Sequence, residues 1–277
     1  MKKILLTILT VAILIVMVVG AVACSTPTIT IMAEAGSAGE ELAQKYAEEL
    51  GKFGNYVAAD SQKAVLTEIL AQTADIGYID SIMANYYINT PGSSFNGKLE
   101  IVDVDAEAET YAIGLRKGDV YLTQKINKAL YDLQESGKIA EIAAKYGLTN
   151  DLIAFEEPTV DETLDKSGYN YIVNRGYFIV GYTLFAPIAY KNADDELIGF
   201  DTDVAKAVCQ ELGFEARFQE IEWESKEIEL NAKNIDAIWN GMTLTEERAQ
   251  AMSMSASYLK NKQVAIVRAG STVISKE

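Results

Sequence analysis

Apolar and polar positions along this chain switch repeatedly between two periods, and each switch predicts an element. Short apolar runs bounded by turn residues predict strands at Thr28–Met32, from Ala74 to Asp80 and at Leu99–Val104. Apolar residues three and four apart predict helices from about Glu40, over Lys63–Thr73, after Asp80, and twice more between about Tyr121 and Tyr146. Asn89–Gly97, with Pro91 and Gly92, reads as a surface loop, and Glu109–Asp119 alternates apolar residues up to a Lys-Gly turn. From Asn150 to Lys166 the period is lost: FEEPTVDETLDK is acidic and carries Pro158, the composition of a linker. Beyond it the pattern predicts strand, aromatic-rich loop, hairpin and helix from Tyr177 to Gly213, a strand and helix on either side of Trp223, and a last strand at Lys262–Arg268. Strands alternating with helices throughout predict an α/β class with mostly parallel sheets.

The N-terminus does not fit that alternation. Lys2 and Lys3 followed by the apolar span Ile4–Ala23 have the charged and hydrophobic regions of an export signal. About 20 apolar residues also suffice to cross a bilayer as an uncleaved anchor. AVAC at Ala21–Cys24 is similar to the lipobox of bacterial lipoproteins, with Ala21 where leucine is commoner, and predicts cleavage and lipidation at Cys24. Either outcome places the body outside the cytoplasm, held at the membrane.

Composition removes whole classes of function. The 277 residues are 49% hydrophobic, enough for two ordinary domains or one large one with a substantial core. Acidic residues outnumber basic ones 40 to 24, for a net charge of −16, which opposes binding to nucleic acid or to an anionic membrane surface. There is no histidine, so Ser-His-Asp and Cys-His catalysis and His-ligated metal sites are excluded, and neither a metal nor a cofactor is expected. Cys209, inside the helical pattern DVAKAVCQELG, is expected to pack as a small hydrophobe rather than pair with Cys24.

The most informative chemistry lies in DAIWNGMTLTEER, Asp236–Arg248. Its first half reads as a buried strand and its second as a polar turn before an acidic helix start, with Thr245 suited to the N-cap. Asn240, Thr243 and Arg248 then gather at a strand edge, an arrangement that can grip a carboxylate. Gly36, Ser37 and Gly39 form a loop before a helix, whose unpaired N–H groups can receive an anion or can simply make a tight connection. Asp80, at a strand-to-helix junction, suits either a helix cap or an ammonium partner.

These residues bring a family into view. From Tyr177 to Gly270, FIVGYTLFAPIAY, LIGFDTDVAKAVCQELG, the tryptophan of IEWESKEIEL, IDAIWNGMTLTEER and YLKNKQVAIVRAGS resemble the first lobe of bacterial amino-acid-binding proteins of ABC importers, the extracellular solute-binding proteins of family 3. From Ile29 to Gly147, AGSAGEE, ADIGYIDS, YAIGLRKGD and INKALYDLQESGKIAEIAAKYG resemble the remainder of the same family. The order is reversed relative to that family, so the resemblance implies a two-lobed, periplasmic-binding-protein-like α/β fold of type II that is circularly permuted. The implied division is a signal peptide over 1–23, an anchored spacer over 24–27, the usually inserted lobe over 28–108, a crossover with helices packing on the other lobe over 109–149, an acidic linker over 150–167 and the usual first lobe over 168–277. The crossover near Glu109–Leu115 would be the only continuous one, and pairing of lobes from two chains in a swapped dimer is the alternative to a monomer.

Carried over position by position, the resemblance implies that Arg248 takes the α-carboxylate of an amino acid, assisted by Thr243, Asn240 and the backbone around Gly241. Ser37 and the N–H of Ala38 complete that grip from the other lobe, Asp80 takes the α-ammonium, and Phe185 and Trp223 sandwich the ligand's side chain. Tyr182 and Ala189 stand where relatives are often acidic, and MSMSASY at Met252–Tyr258 replaces a pattern like F-S-D-P-Y. With two aromatic walls and few charges nearby, a polar neutral or apolar ligand is expected. The implied function is capture and delivery to an ABC importer permease, without catalysis. Sensing without transport and a dehydratase-like enzyme, with Glu224 as the nearest acid, are the alternatives.

Overall fold

Serine hydroxyls start the first two helices. In the computed structural model, which describes residues 28–274, strand β1 (Ile29–Glu34) runs into Ser37, whose Oγ accepts from Glu40 N at 3.2 Å and satisfies one unpaired donor of helix α1 (Ala38–Leu50). After β2 (Gly54–Ala59), Ser61 caps α2 (Gln62–Ala71) through Ala64 N at 3.1 Å. Then β3 (Ile76–Asp80), α3 (Ser81–Ile88) and β4 (Leu99–Val102) complete the first run of elements. The export segment and Cys24, with its expected lipid anchor, lie outside the described residues.

The middle of the chain carries β5 (Ala108–Tyr111), β6 (Gly114–Leu115), α4 (Val120–Glu135) and α5 (Lys138–Tyr146). No regular helix or strand spans the residues between Leu152 and Lys166, yet this acidic segment is held along α4, where Phe155 N donates to Gln134 Oε1 (3.0 Å) and Asp161 N to Gln124 Oε1 (2.8 Å). Beyond it come α6 (Ser167–Arg175), β7 (Tyr177–Tyr182), the hairpin β8 (Tyr190–Lys191) and β9 (Leu197–Ile198), and α7 (Phe200–Leu212). The last elements are β10 (Glu215–Glu220), α8 (Lys226–Asn231), β11 (Ala237–Ile238), α9 (Glu246–Ala251), β12 (Ser253–Met254) and β13 (Leu259–Arg268).

Two sheets organise these elements among the described residues. One has the order β2-β1-β3-β13-β4, with β5 pairing the start of β13; the other has the order β10-β7-β11-β6-β12. In each, three parallel strands have the earliest in the middle, and the next strand is antiparallel and arrives from the other half of the chain. A two-lobed α/β architecture follows, with a core on both faces of each sheet.

Two expectations are corrected here. Strand β13 was expected with the lobe over 168–277, but it lies inside the first sheet between β3 and β4. Val264 and Ile266 pack into one hydrophobic cluster and Ala265 and Val267 into another, so both faces of the strand are buried in this lobe's core. The chain therefore crosses between lobes twice, from β5 to β6 and from β12 to β13, and Glu109–Leu115 is not the only continuous crossover. The two crossovers also pair with each other: β5 is antiparallel to β13, with Leu259 opposite Tyr111 and Tyr258 N donating to Tyr111 O at 2.9 Å.

Helix α6 was not anticipated, because GYNYIVNRG is short and mixed in polarity. It ends at Gly176, in the left-handed region at φ 79°, and is anchored by a buried charge. Asp236, fully buried, receives Arg175 of α6, Arg116 Nη2 (3.1 Å) and the backbone N–H of Ile179 (2.8 Å). Removing the acid would strand two guanidinium groups in the lobe. We expect Asp236→Ala to destabilise the protein by about 3–5 kcal/mol, read as a lower urea midpoint by tryptophan fluorescence; an unchanged midpoint would show that the pairs contribute little.

Candidate functional site

The facing ends of the two sheets enclose a cleft with about 280 Å³ of space free of atoms, little of it wide enough for water. Glu34, Ser37, Ala38, Gln62 and Asp80 line it from the first lobe, and Thr183, Phe185, Trp223, Asn240, Gly241, Thr243 and Arg248 from the second. The nine residues expected from the sequence thus meet in one place. Their detailed roles differ from one another.

Arg248 is placed by a helix cap. Thr245 Oγ1 accepts from Arg248 N at 3.2 Å, starting α9, and the guanidinium then reaches back to Thr243 O (2.7 Å) and across the cleft to Gly36 O (3.2 Å). Both are neutral carbonyls, so burial lowers the Arg248 pKa, with Asp80 and Glu109 opposing that shift from a distance. The side chain remains a cation, as arginine does in proteins.

Asp80 occupies the N-cap position of α3 but makes no side-chain cap bond. Its Oδ1 accepts from Tyr111 Oη (2.7 Å), Gln263 Nε2 (3.2 Å) and Asn261 Nδ2, and its Oδ2 from Gln62 Nε2. Burial pushes its pKa up to about 6 and neighbouring Glu109 adds to the rise, while the Tyr111, Gln62 and Gln263 donors oppose it. Oδ2, with one protein donor, retains acceptor capacity toward the cleft.

The other expected residues divide into walls and supports. Phe185 and Trp223 are nearly buried apolar walls, and Phe185 meets Tyr111 edge-on at 6.4 Å. Ser37 is engaged as the α1 cap, and Ala38 opens that helix, whose first-turn N–H groups have no intrahelical partner. Thr243 Oγ1 donates to Glu109 Oε2 at 3.1 Å. In the amide orientation that satisfies both ends, Asn240 Nδ2 donates to Thr183 O (3.1 Å) and Oδ1 accepts from Thr183 N (3.2 Å), so Asn240 supports the neighbouring loop. Gly241 N donates to buried Asp201 Oδ2 at 2.7 Å and is directed away from the cleft. Gly241 sits at φ 62°, and a Cβ there would lie 2.7 Å from Phe185 Cε1, so the turn between both walls requires glycine.

Sequence reasoning missed Glu34, Gln62 and Thr183 in the lining, and Glu109, Lys226, Asn261 and Gln263 just behind it. Glu34 ends an otherwise apolar strand beside a glycine-rich loop, which was the available signal. Its pKa is pushed up to about 8, first by burial and then by Asp80, with Gln62 and Lys226 opposing. Lys226 Nζ donates to Gly36 O (3.1 Å) and Trp223 O (3.3 Å) and lies 4.9 Å over the Trp223 ring; burial and Arg248 push its pKa down to about 8. Few charges were expected near the ligand's side chain, and the structure corrects this.

Residues 178–277 match the profile of bacterial extracellular solute-binding proteins, family 3. The match covers this segment, 100 of the 277 residues. The family 3 segment is similar in extent to the matched parts of individual relatives: an L-cystine-binding protein of Escherichia coli is 27% identical over 113 residues, 40% of this chain and 42% of that protein. A histidine-binding periplasmic protein of Salmonella typhimurium is 38% identical over 71 residues, 26% of this chain and 27% of that protein. A solved substrate-binding protein of an ABC uptake transporter from Streptococcus pneumoniae, with bound histidine, is 33% identical over 30% of this chain and 35% of that one, with a TM-score of 0.30. The chain thus spans less than half the length of these relatives in the matched stretches.

The buried acid at the end of β1 has a stability consequence. A carboxyl whose pKa is raised on folding favours the native state at low pH, and this contribution is lost as pH rises from about 4.5 through about 8. Glu34→Gln removes the charge that must be buried. Relative to wild type, the variant is expected to gain stability at pH 8 over pH 5 by about 1–3 kcal/mol; equal differences at both pH values in urea titrations would contradict the burial of an ionisable Glu34.

Proposed function

We propose that this protein is an extracytoplasmic solute-binding protein that captures an L-amino acid between its lobes, without catalysis, and delivers it to an ABC-type permease. The observation that carries the reading is the pair Arg248 and Asp80: opposite charges, both buried, from opposite lobes, lining one cleft without forming an ion pair with each other. An α-amino acid presents a carboxylate and an ammonium on adjacent atoms, and a guanidinium fork and a carboxylate are their matched partners. The cystine-binding and histidine-binding relatives named above carry amino acids in their descriptions, which supports the same ligand class. A cleft this narrow admits a ligand only when the lobes separate about the paired crossovers, so closure and burial accompany binding.

The same proposal takes the chain as a circular permutant. Both sheets follow one strand pattern, and a profile running in the usual order matches only 178–277. The ends that a cut would leave are neighbours: Asp75 accepts from Thr30 N at 2.9 Å and is ion-paired with Arg268 at 3.4 Å. Lipidation at Cys24 would tether the chain at the membrane beside its permease.

Titration calorimetry against the amino acids tests the reading directly. At least one should bind at micromolar or tighter affinity, and Arg248→Ala should weaken it about a hundredfold or more, given roughly 1.5–3 kcal/mol for each charge-assisted bond. Asp80→Asn should weaken the same ligand by a similar factor. Equal binding by wild type and both variants would place the site elsewhere.

A further inference from the structure

If the cleft holds an α-amino acid as proposed above, Arg248 and Asp80 are both engaged by its backbone groups, and the charges left over decide its side chain. Three buried or partly buried acids face this region, Asp80, Glu34 and Glu109, against two cations, Arg248 and Lys226. Glu109 is occupied: its Oε2 accepts from Thr243 Oγ1 (3.1 Å), Asn261 Nδ2 (2.9 Å) and Gln263 Nε2 (3.0 Å). Lys226 is occupied by the carbonyls of Gly36 and Trp223. Glu34 differs from both. Its carboxyl lines the cleft, 5% exposed, forms no ion pair within 4 Å among the described residues, and has the Gln62 side chain as its hydrogen-bonding neighbour.

Once Glu34 is ionised, a zwitterion adds no net charge and leaves one acid uncompensated, whereas a ligand with one further positive charge balances the site. We infer that Glu34 selects the ligand's side chain and that the preferred ligands are amino acids with a cationic side chain, a guanidinium or a terminal ammonium. The walls suit this choice, because Phe185, an aromatic side chain lining the cleft, is a surface against which a weakly hydrated guanidinium can lie, while the Trp223 ring already carries Lys226. The surroundings suit it too: Glu222 acts on Glu34, Glu224 on Lys226, and Glu41 and Glu227 on Arg248, so the approach to the cleft is acidic.

The pH dependence has a definite sign. Glu34 must be ionised to pair with a cation, and the groups acting on it are Asp80, Lys226 and Glu222. As pH rises from 6 toward 8, Glu34 ionises and Lys226 begins to lose its charge, and both changes favour a cationic side chain.

Arginine and citrulline separate this inference from the amino-acid reading, since they share shape and backbone groups and differ in side-chain charge. Calorimetry on the wild-type protein should show arginine binding about tenfold or more tighter than citrulline at pH 8, with the ratio shrinking toward pH 6. Glu34→Gln should reduce the ratio at pH 8 about tenfold, with citrulline binding serving as evidence that the site has formed. Equal affinities in the wild type, or a ratio that survives Glu34→Gln, would overturn the role of Glu34 while leaving the amino-acid reading intact. If no amino acid binds, both fail together.

Discussion

A carboxylate carried from water into the gap between two sheets loses hydration worth several kcal/mol, and it remains ionisable there only where donors replace the water. Asp80 meets that requirement by drawing donors from separate parts of the chain: Gln62 from α2, Tyr111 from the first crossover, and Asn261 and Gln263 from the second. The sequence separations run from 18 to 183 residues. Two of these donors, Asn261 and Gln263, also reach Glu109 and hold a second acid in the same network. The paired crossovers and the lining of the cleft are therefore one hydrogen-bonded unit, and three of the four side chains that donate to Asp80 come from the crossovers.

On the opposite wall the same physics gives a different solution. Arg248 is desolvated but receives only carbonyl oxygens, so its charge is solvated by dipoles and not cancelled. One of those carbonyls, Gly36 O, also accepts from Lys226, so the first lobe contributes a single backbone group to two cations of the second. Gly36 is at φ 70°, and a Cβ there would approach Glu224 Cα to 3.2 Å, which is why this close crossing is made at a glycine. Two uncancelled cations facing the acids leave a field across the cleft, with which the proposed amino-acid ligand would align.

How much of this was legible in the chain depends on whether the signal is local. The loop before α1, the Thr245 cap and the strand end at Asp80 are local, and it was the resemblance, carried over position by position, that gathered them with Phe185 and Trp223 into one cleft. Strand β2 was not legible, since GNYVAA starts at glycine and is largely exposed. Helix α6 depends on Arg175 reaching Asp236, sixty-one residues away, which no window of sequence contains. The partner of β13 was misjudged for a related reason: an apolar run shows that a strand is buried on both faces but not in which sheet. Glu34 looked like a strand-end acid because its importance comes from what stands opposite it, namely Asp80, Gln62 and Lys226.

Chain order is the remaining constraint, and it matters less than the pairings. The proposed cut lies on the first lobe, between β13 and β1, where Asp75 holds Thr30 and Arg268 at the same sheet edge. The proposed join lies wholly on the second lobe, where the acidic segment lies along α4 and hands over to α6. Neither operation touches β5–β6 or β12–β13, the two segments that pass between lobes and pair with each other. In the proposed binding cycle, opening and closing would turn on those segments and on the cleft charges. A reordered chain would then keep the hinge of an unreordered one, because the proposed cut and join each lie within a single lobe.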